Sequence, residues 1–127
     1  MGLLVGEAFL HKGKPYTLIE DYVTATNDST AISVRFSPEA FADLAKQYSS
    51  KHKGKLVVGW CHSHPGYGCF LSGTDLSTQR RYFSEPWHVA VVIDPLRSEN
   101  GSPARKVFKL NSASYEEVSY AVIERRD

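Results

Sequence analysis

Leu56-Val57-Val58-Gly59-Trp60-Cys61-His62-Ser63-His64-Pro65-Gly66-Tyr67-Gly68-Cys69-Phe70-Leu71-Ser72-Gly73-Thr74-Asp75 carries a strand, a turn and the start of a helix. Lys55 to Cys61 is rich in β-branched and aromatic residues, the composition of a buried strand. Side chains alternate along a strand, so His62 and His64 share one face while Cys61 and Ser63 share the other. Pro65 removes a backbone donor and, with Gly66 and Gly68, ends the strand in a loop that can turn back over the histidines. Ser72 or Thr74 can cap a helix running through Leu76 to Tyr82, which puts Asp75 in the first turn, where the helix dipole favours a carboxylate. Two imidazoles and one carboxylate make three protein ligands for a divalent cation. Three ligands with water at the fourth vertex distinguish a catalytic zinc site from a closed structural one. The same letters have a plainer reading as well: His-x-His pairs on strands are often merely satisfied pairs, and Ser72 can serve as a cap alone.

Outward from this segment, Met1 to Leu10 and Tyr16 to Val23 read as strands joined at His11-Lys12-Gly13-Lys14-Pro15 into a hairpin. Ala31 to Phe36 is a further strand, followed by a helix capped at Ser37 with Pro38 at its first position; its stripe of Phe41, Leu44, Ala45 and Tyr48 is core. After the motif helix, Glu85-Pro86 stops helical continuation, and His88 to Asp94 is an apolar strand ending at Pro95. His88 is a strand-entry histidine rather than a fourth ligand. Ser98 to Pro103 reads as a loop and Lys106 to Leu110 as a returning strand. Tyr115 to Arg126 alternates at Val118, Tyr120 and Val122 and is assigned to a strand, although its Glu and Ala content permits a helix. The fold class is therefore α/β (α+β), a mixed central β-sheet flanked by helices, in one domain spanning 1–127.

At 127 residues with 42% hydrophobic content the chain can bury one core. A formal net charge of +1 without a dominant charge run gives no case for nucleic acid or a membrane surface. No signal peptide or membrane-length apolar run is found, and the expected location is cytoplasmic. Cys61 and Cys69 are then expected to stay reduced, Cys61 packing in the core and Cys69 lining the cleft wall.

These residues resemble the signature of the JAMM (MPN+) metalloprotease family: His-[Ser/Thr]-His-Pro, six residues, Ser, two residues, Asp, matched at every position by His62, Ser63, His64, Pro65, Ser72 and Asp75. Gly59-Trp60, Gly66 to Leu71, Ser77-Thr78-Gln79 and Val89 to Pro95 are similar to the branch that contains the proteasome-lid deubiquitinase subunit and the signalosome deneddylase subunit. The resemblance implies the MPN/JAMM fold, Zn2+ held by His62, His64 and Asp75, and Ser72 as the catalytic hydroxyl that hydrogen-bonds the oxyanion. It implies removal of ubiquitin or a ubiquitin-like modifier by attack of a zinc-bound water at the bond after the modifier's Gly-Gly tail, with Tyr67 and Phe70 as candidates to line the substrate groove. Pairing with a second MPN chain, as homo- or heterodimer, is implied too. In the family a glutamate general base lies just before a Val-Met-Gly-Leu strand, after an amphipathic helix. The sequence as given starts inside that strand, so that glutamate and helix have no counterpart in it, and the expectation is an N-terminally short member. Glu7 belongs to the far end of the strand, roughly 20 Å from the base's position at ~3.3 Å per residue, and is assigned to solvent or the strand end. Two further readings are a catalytically incomplete MPN module that binds a ubiquitin-like protein or partner, and a small-molecule amidase.

Overall fold

The structure is a computed structural model and describes residues 1–24, 28–29, 34–35 and 54–124. Six strands form one sheet in the order β2-β1-β5-β6-β7-β8: β1 (Gly2–His11), β2 (Lys14–Thr24), β5 (Leu56–Ser63), β6 (Val89–Glu99), β7 (Ser102–Leu110) and β8 (Tyr115–Val118). A two-residue pair, β3 (Asp28–Ser29) and β4 (Val34–Arg35), stands apart from it. The mixed sheet agrees with the expected α/β class: β5 and β6 run parallel, while every other neighbouring pair in the large sheet is antiparallel. A parallel pair needs a crossover. Here it contains the helix α1 (Gly73–Tyr82).

The β1–β2 hairpin closes on Lys12-Gly13, both at positive φ (52° and 77°), a turn whose twist matches the strands. It is tighter than the expected His11–Pro15 turn, because Pro15 joins β2, an edge strand where a missing N–H is tolerated. The expected strand at Ala31–Phe36 is described only at Val34–Arg35; the Ser37 cap and the Phe41, Leu44, Ala45, Tyr48 stripe lie outside the described residues.

Two expectations about β6 and β7 need correction. Strand β6 does not stop at Pro95. Its pairing with β7 breaks after Asp94↔Ala104 and resumes at Ser98↔Pro103, so Pro95, Leu96 and Arg97 occupy a bulge where no ladder donor is required. The anticipated Ser98–Pro103 loop shrinks to Asn100-Gly101, again with both residues at positive φ (52° and 80°). At the other end, β8 stops at Val118, short of the expected strand to Arg126: Tyr120 turns to accept a hydrogen bond from Arg105 Nε at 3.0 Å, and residues up to 124 have no regular structure.

Apolar side chains divide between the two faces of the sheet. Leu3, Val23, Trp60, Ala90, Val92 and Phe108 pack with Leu71 and Phe83 from the segment around α1, and Leu4, Val58, Val89 and Val107 form a second cluster. Simple alternation would put Val58 and Trp60 together. A bulge separates them, because Leu4 and Val5 pair with Gly59 and Val57, leaving Val58 as the extra residue. Gly59 faces Val89 of β6, and a Cβ there would lie 1.9 Å from the Val89 carbonyl oxygen, so the parallel strands can meet only over a glycine.

Candidate metal centre

The C-terminal end of β5 supplies the two histidines. His62 pairs in register with Val92, and the chain beyond Ser63 stays tied to β6 because His64 N–H donates to the Ile93 carbonyl at 2.9 Å. Pockets in sheets of this kind favour the carboxyl ends of parallel strands. Helix α1 brings the carboxylate. Ser72 caps the helix in extended conformation (φ −68°, ψ 170°), and Asp75 is the third helical residue of a capping box.

His62 Nε2, His64 Nε2 and Asp75 Oδ2 form a nearly equilateral triangle: 3.1 Å between the imidazoles and 3.0 and 3.1 Å from them to the carboxylate. All three residues are buried, and among the described residues theirs is the one cluster of metal-ligating groups. Ser72 N–H also donates to Asp75 Oδ2, at 2.9 Å. His64 donates its Nδ1–H to the Gly68 carbonyl at 3.2 Å, which turns Nε2 toward the Asp75 carboxylate and the His62 ring. Asp75 Oδ1 and His62 Nδ1 are moreover buried without a hydrogen-bond partner. A zinc ion about 2.0–2.1 Å from each atom at tetrahedral angles would space its ligands roughly 3.3 Å apart, close to the triangle found. The donor set and its spacing fit zinc.

Electrostatics agree with that fit. Burial lowers the His62 pKa, against the pull of Asp75, and keeps the ring neutral as a metal ligand must be. For Asp75 burial pushes upward, but hydrogen bonding to His62 and to Ser72 outweighs it, holding the carboxyl below its ordinary range.

Supporting contacts fix the ring planes. Trp60 stacks on His62 with centroids 4.4 Å apart and 15° between planes, and its indole N–H donates to Gln79 Oε1. Gln79 in turn donates to the Phe83 carbonyl at 3.2 Å. The sequence reading named Gln79 only within the branch-like stretch Ser77-Thr78-Gln79 and gave it no role; the signal for one was its place four residues after Asp75, on the same helix face. Phe70 lies tilted against His64 at 4.8 Å, so it braces the centre, while Tyr67 is half exposed on the loop.

Among the described residues, other titratable groups stay out of the cluster. His88 accepts from Glu85 N–H at 3.0 Å and meets the Phe83 ring edge-on, as expected of a strand-entry histidine. Both cysteines are free thiols: Cys61 packs beside the second core cluster and Cys69 donates to the Ala104 carbonyl at 3.5 Å. Glu7 is bound by Lys55 at 3.0 Å, an amine that also reaches Glu20.

Residues 1–85 match the family model described as JAB1/Mov34/MPN/PAD-1 ubiquitin protease. The chain is 40% identical over 103 residues to COP9 signalosome complex subunit 5 of Caenorhabditis elegans, covering 77% of this chain and 27% of that protein. It is 37% identical over 114 residues to 26S proteasome non-ATPase regulatory subunit 14 of Drosophila melanogaster (87% and 35% covered). With ubiquitin carboxyl-terminal hydrolase RPN11 of Saccharomyces cerevisiae it shares 34% over 113 residues (87% and 36% covered). The chain thus spans roughly a third of the length of these relatives. A solution structure of a protein from Salinibacter ruber superimposes with a TM-score of 0.53 at 24% identity, covering 93% of this chain and 73% of that one, a likeness of fold.

Proposed function

This chain belongs to the JAB1/Mov34/MPN/PAD-1 ubiquitin protease family, and on that premise we propose that it is a zinc-dependent isopeptidase that removes ubiquitin or a ubiquitin-like modifier. The observation that carries the reading is the buried triangle of His62 Nε2, His64 Nε2 and Asp75 Oδ2. These three residues would hold the ion. When bound, zinc acidifies a water to a pKa of about 7 and polarises the scissile carbonyl.

The chain's own groups supply the ligand charge, an oxyanion donor and the groove. Asp75 keeps its negative charge through the Ser72 amide and its histidine neighbours, and so stays a ligand at neutral pH. Ser72 Oγ accepts the Asp75 N–H at 3.1 Å, which leaves its hydroxyl hydrogen to donate to the oxyanion that forms at the attacked carbonyl. Gly66 and Gly68 carry no side chain on the loop beside the histidines, and Tyr67 and Phe70 are proposed to flank an extended Gly-Gly tail there. We place the protein in the cytosol as a single domain acting on a protein-linked modifier, with a second MPN chain as its partner. Among the described residues no helix is long and apolar enough to cross a membrane.

The test is hydrolysis of isopeptide-linked ubiquitin and ubiquitin-like conjugates by the full chain, with zinc, with chelator, and as Asp75→Ala. Zinc-dependent release of the modifier, lost in Asp75→Ala, supports the reading. Zinc binding without release of any modifier contradicts it and favours a module that only binds such proteins.

A further inference from the structure

We propose that Asp94, a residue outside the ligand triangle, is a positioning residue for the metal centre: it fixes the Gly66–Gly68 turn so that the Gly68 carbonyl holds His64 with Nε2 aimed at the ion. The inference rests on the reading of His62, His64 and Asp75 as zinc ligands.

Asp94 is the last paired residue of β6 before the bulge at Pro95 and is fully buried. Its carboxylate gathers three backbone amides: Gly66 N–H donates to Oδ1 at 2.8 Å, Leu96 N–H to Oδ1 at 3.0 Å, and Gly68 N–H to Oδ2 at 2.7 Å. Arg97 Nε lies 3.3 Å from Oδ2 on the solvent side, and its Nη2 donates to the Gly66 carbonyl at 3.2 Å. The turn can present its amides this way because Gly66 and Gly68 both take positive φ, 79° and 85°. A Cβ at either position would meet only ordinary contacts, at 3.6 and 3.5 Å, so backbone conformation rather than crowding calls for glycine.

The turn then acts on the ligand. Gly68, held through its N–H by Asp94, accepts the His64 Nδ1–H through its carbonyl, and Tyr67 N–H closes on the His64 carbonyl at 3.1 Å. The partner of one imidazole nitrogen decides how the other faces a metal, and such outer contacts tune affinity. A carboxylate suits the task because it offers only acceptors to several converging donors. Burial alone would push its carboxyl pKa upward; the Gly66, Gly68 and Leu96 amides and Arg97 outweigh this and keep it ionised. Asparagine would set an NH2 against an amide N–H.

The experiment compares the full chain with Asp94→Asn and Arg97→Ala. Zinc affinity is read by competition with a chromophoric chelator, the ligand field by the visible bands of the Co2+-substituted protein, and folding by circular dichroism under the same conditions. Asp94→Asn, folded, is expected to bind zinc about 10–100-fold more weakly with altered Co2+ bands. Arg97→Ala, which removes an exposed ion pair and a solvent-side hydrogen bond to the Gly66 carbonyl but none of the three amide contacts to Asp94, stays near the unsubstituted value. Wild-type affinity with unchanged bands in folded Asp94→Asn overturns the proposal. Should Asp94→Asn fail to fold, nitrogen-15 NMR of the unsubstituted chain decides: a His64 ring protonated at Nδ1, with slowly exchanging Gly66, Gly68 and Leu96 amides, supports it, and an Nε2-protonated ring overturns it. Modifier hydrolysis is scored separately on the unsubstituted chain. Zinc binding without hydrolysis counts against the proposed activity and leaves the Asp94 role standing, whereas no zinc binding at all overturns both.

Discussion

Ser72 and Asp75 cap each other: Ser72 N–H donates to Asp75 Oδ2 at 2.9 Å, and Asp75 N–H donates to Ser72 Oγ at 3.1 Å. That Oδ2 is also the oxygen facing both imidazoles, so the start of α1 and the metal centre are one hydrogen-bonded unit. Helix capping explains why a serine and an aspartate stand three residues apart. The ligand triangle explains why the aspartate is buried.

The double duty of Ser72 can be separated by substitution. Ser72→Ala loses the cap, costing about 0.5–2 kcal/mol of stability, and the hydroxyl donor, costing about 10²–10³ in kcat. Ser72→Gly costs only a few tenths of a kcal/mol in capping yet loses the same rate. Thermal melts beside steady-state hydrolysis of a modifier conjugate check this; a Ser72→Gly enzyme with unimpaired kcat would confine Ser72 to capping.

Zinc should stabilise the folded chain by mass action. At a free concentration of 100 Kd the gain is about 2.7 kcal/mol, seen as a rise in Tm that chelator reverses. His64→Ala should show no such rise. An equal shift in His64→Ala would place the ion elsewhere.

Gln79→Leu keeps the side-chain volume but removes the acceptor of the Trp60 indole N–H and a donor to the Phe83 carbonyl. Loss of a partner in a buried hydrogen bond costs about 1–3 kcal/mol. Because Trp60 stacks on His62, zinc affinity should fall along with the urea midpoint. Zinc affinity unmoved despite a lowered midpoint would show that the indole does not orient the ligand.

Much of this arrangement was legible in the letters because it is local. Period-two alternation put His62 and His64 on one face, Pro65 and the glycines ended the strand, and Ser72 to Asp75 spelled a helix start. Pairing between distant segments was not legible. The Val58 bulge exists only in register with β1, and β6 passes Pro95 because its partner β7 leaves a gap there. Asn100-Gly101 was a hairpin signal diluted by its polar neighbours Ser98, Glu99 and Ser102, which the sheet recruits into strands. Asp94 looked like the polar end of an apolar run, and its three amide donors come from the Gly66–Gly68 loop and from Leu96.

Acid should weaken the fold partly through Asp94. Its carboxyl is held below the ordinary range, against burial, by the three amides and Arg97. The unfolded chain therefore takes up the proton first as pH falls, and the stability Asp94 contributes is complete above about pH 4 and lost as pH drops through its lowered folded pKa. In metal-free protein, the gap in urea stability between the native chain and Asp94→Asn should be wider at pH 6 than at pH 3. A gap that widened on acidification would reverse the inferred sign.

The most direct measurement is zinc analysis of the reconstituted chain joined to X-ray absorption at the zinc edge. One zinc per chain, with two imidazole nitrogens and a carboxylate oxygen at about 2.0–2.1 Å, is expected, and substitution of His62, His64 or Asp75 by alanine should each remove it. A chain that takes up no zinc, or keeps it with full occupancy after those substitutions, would contradict the assignment.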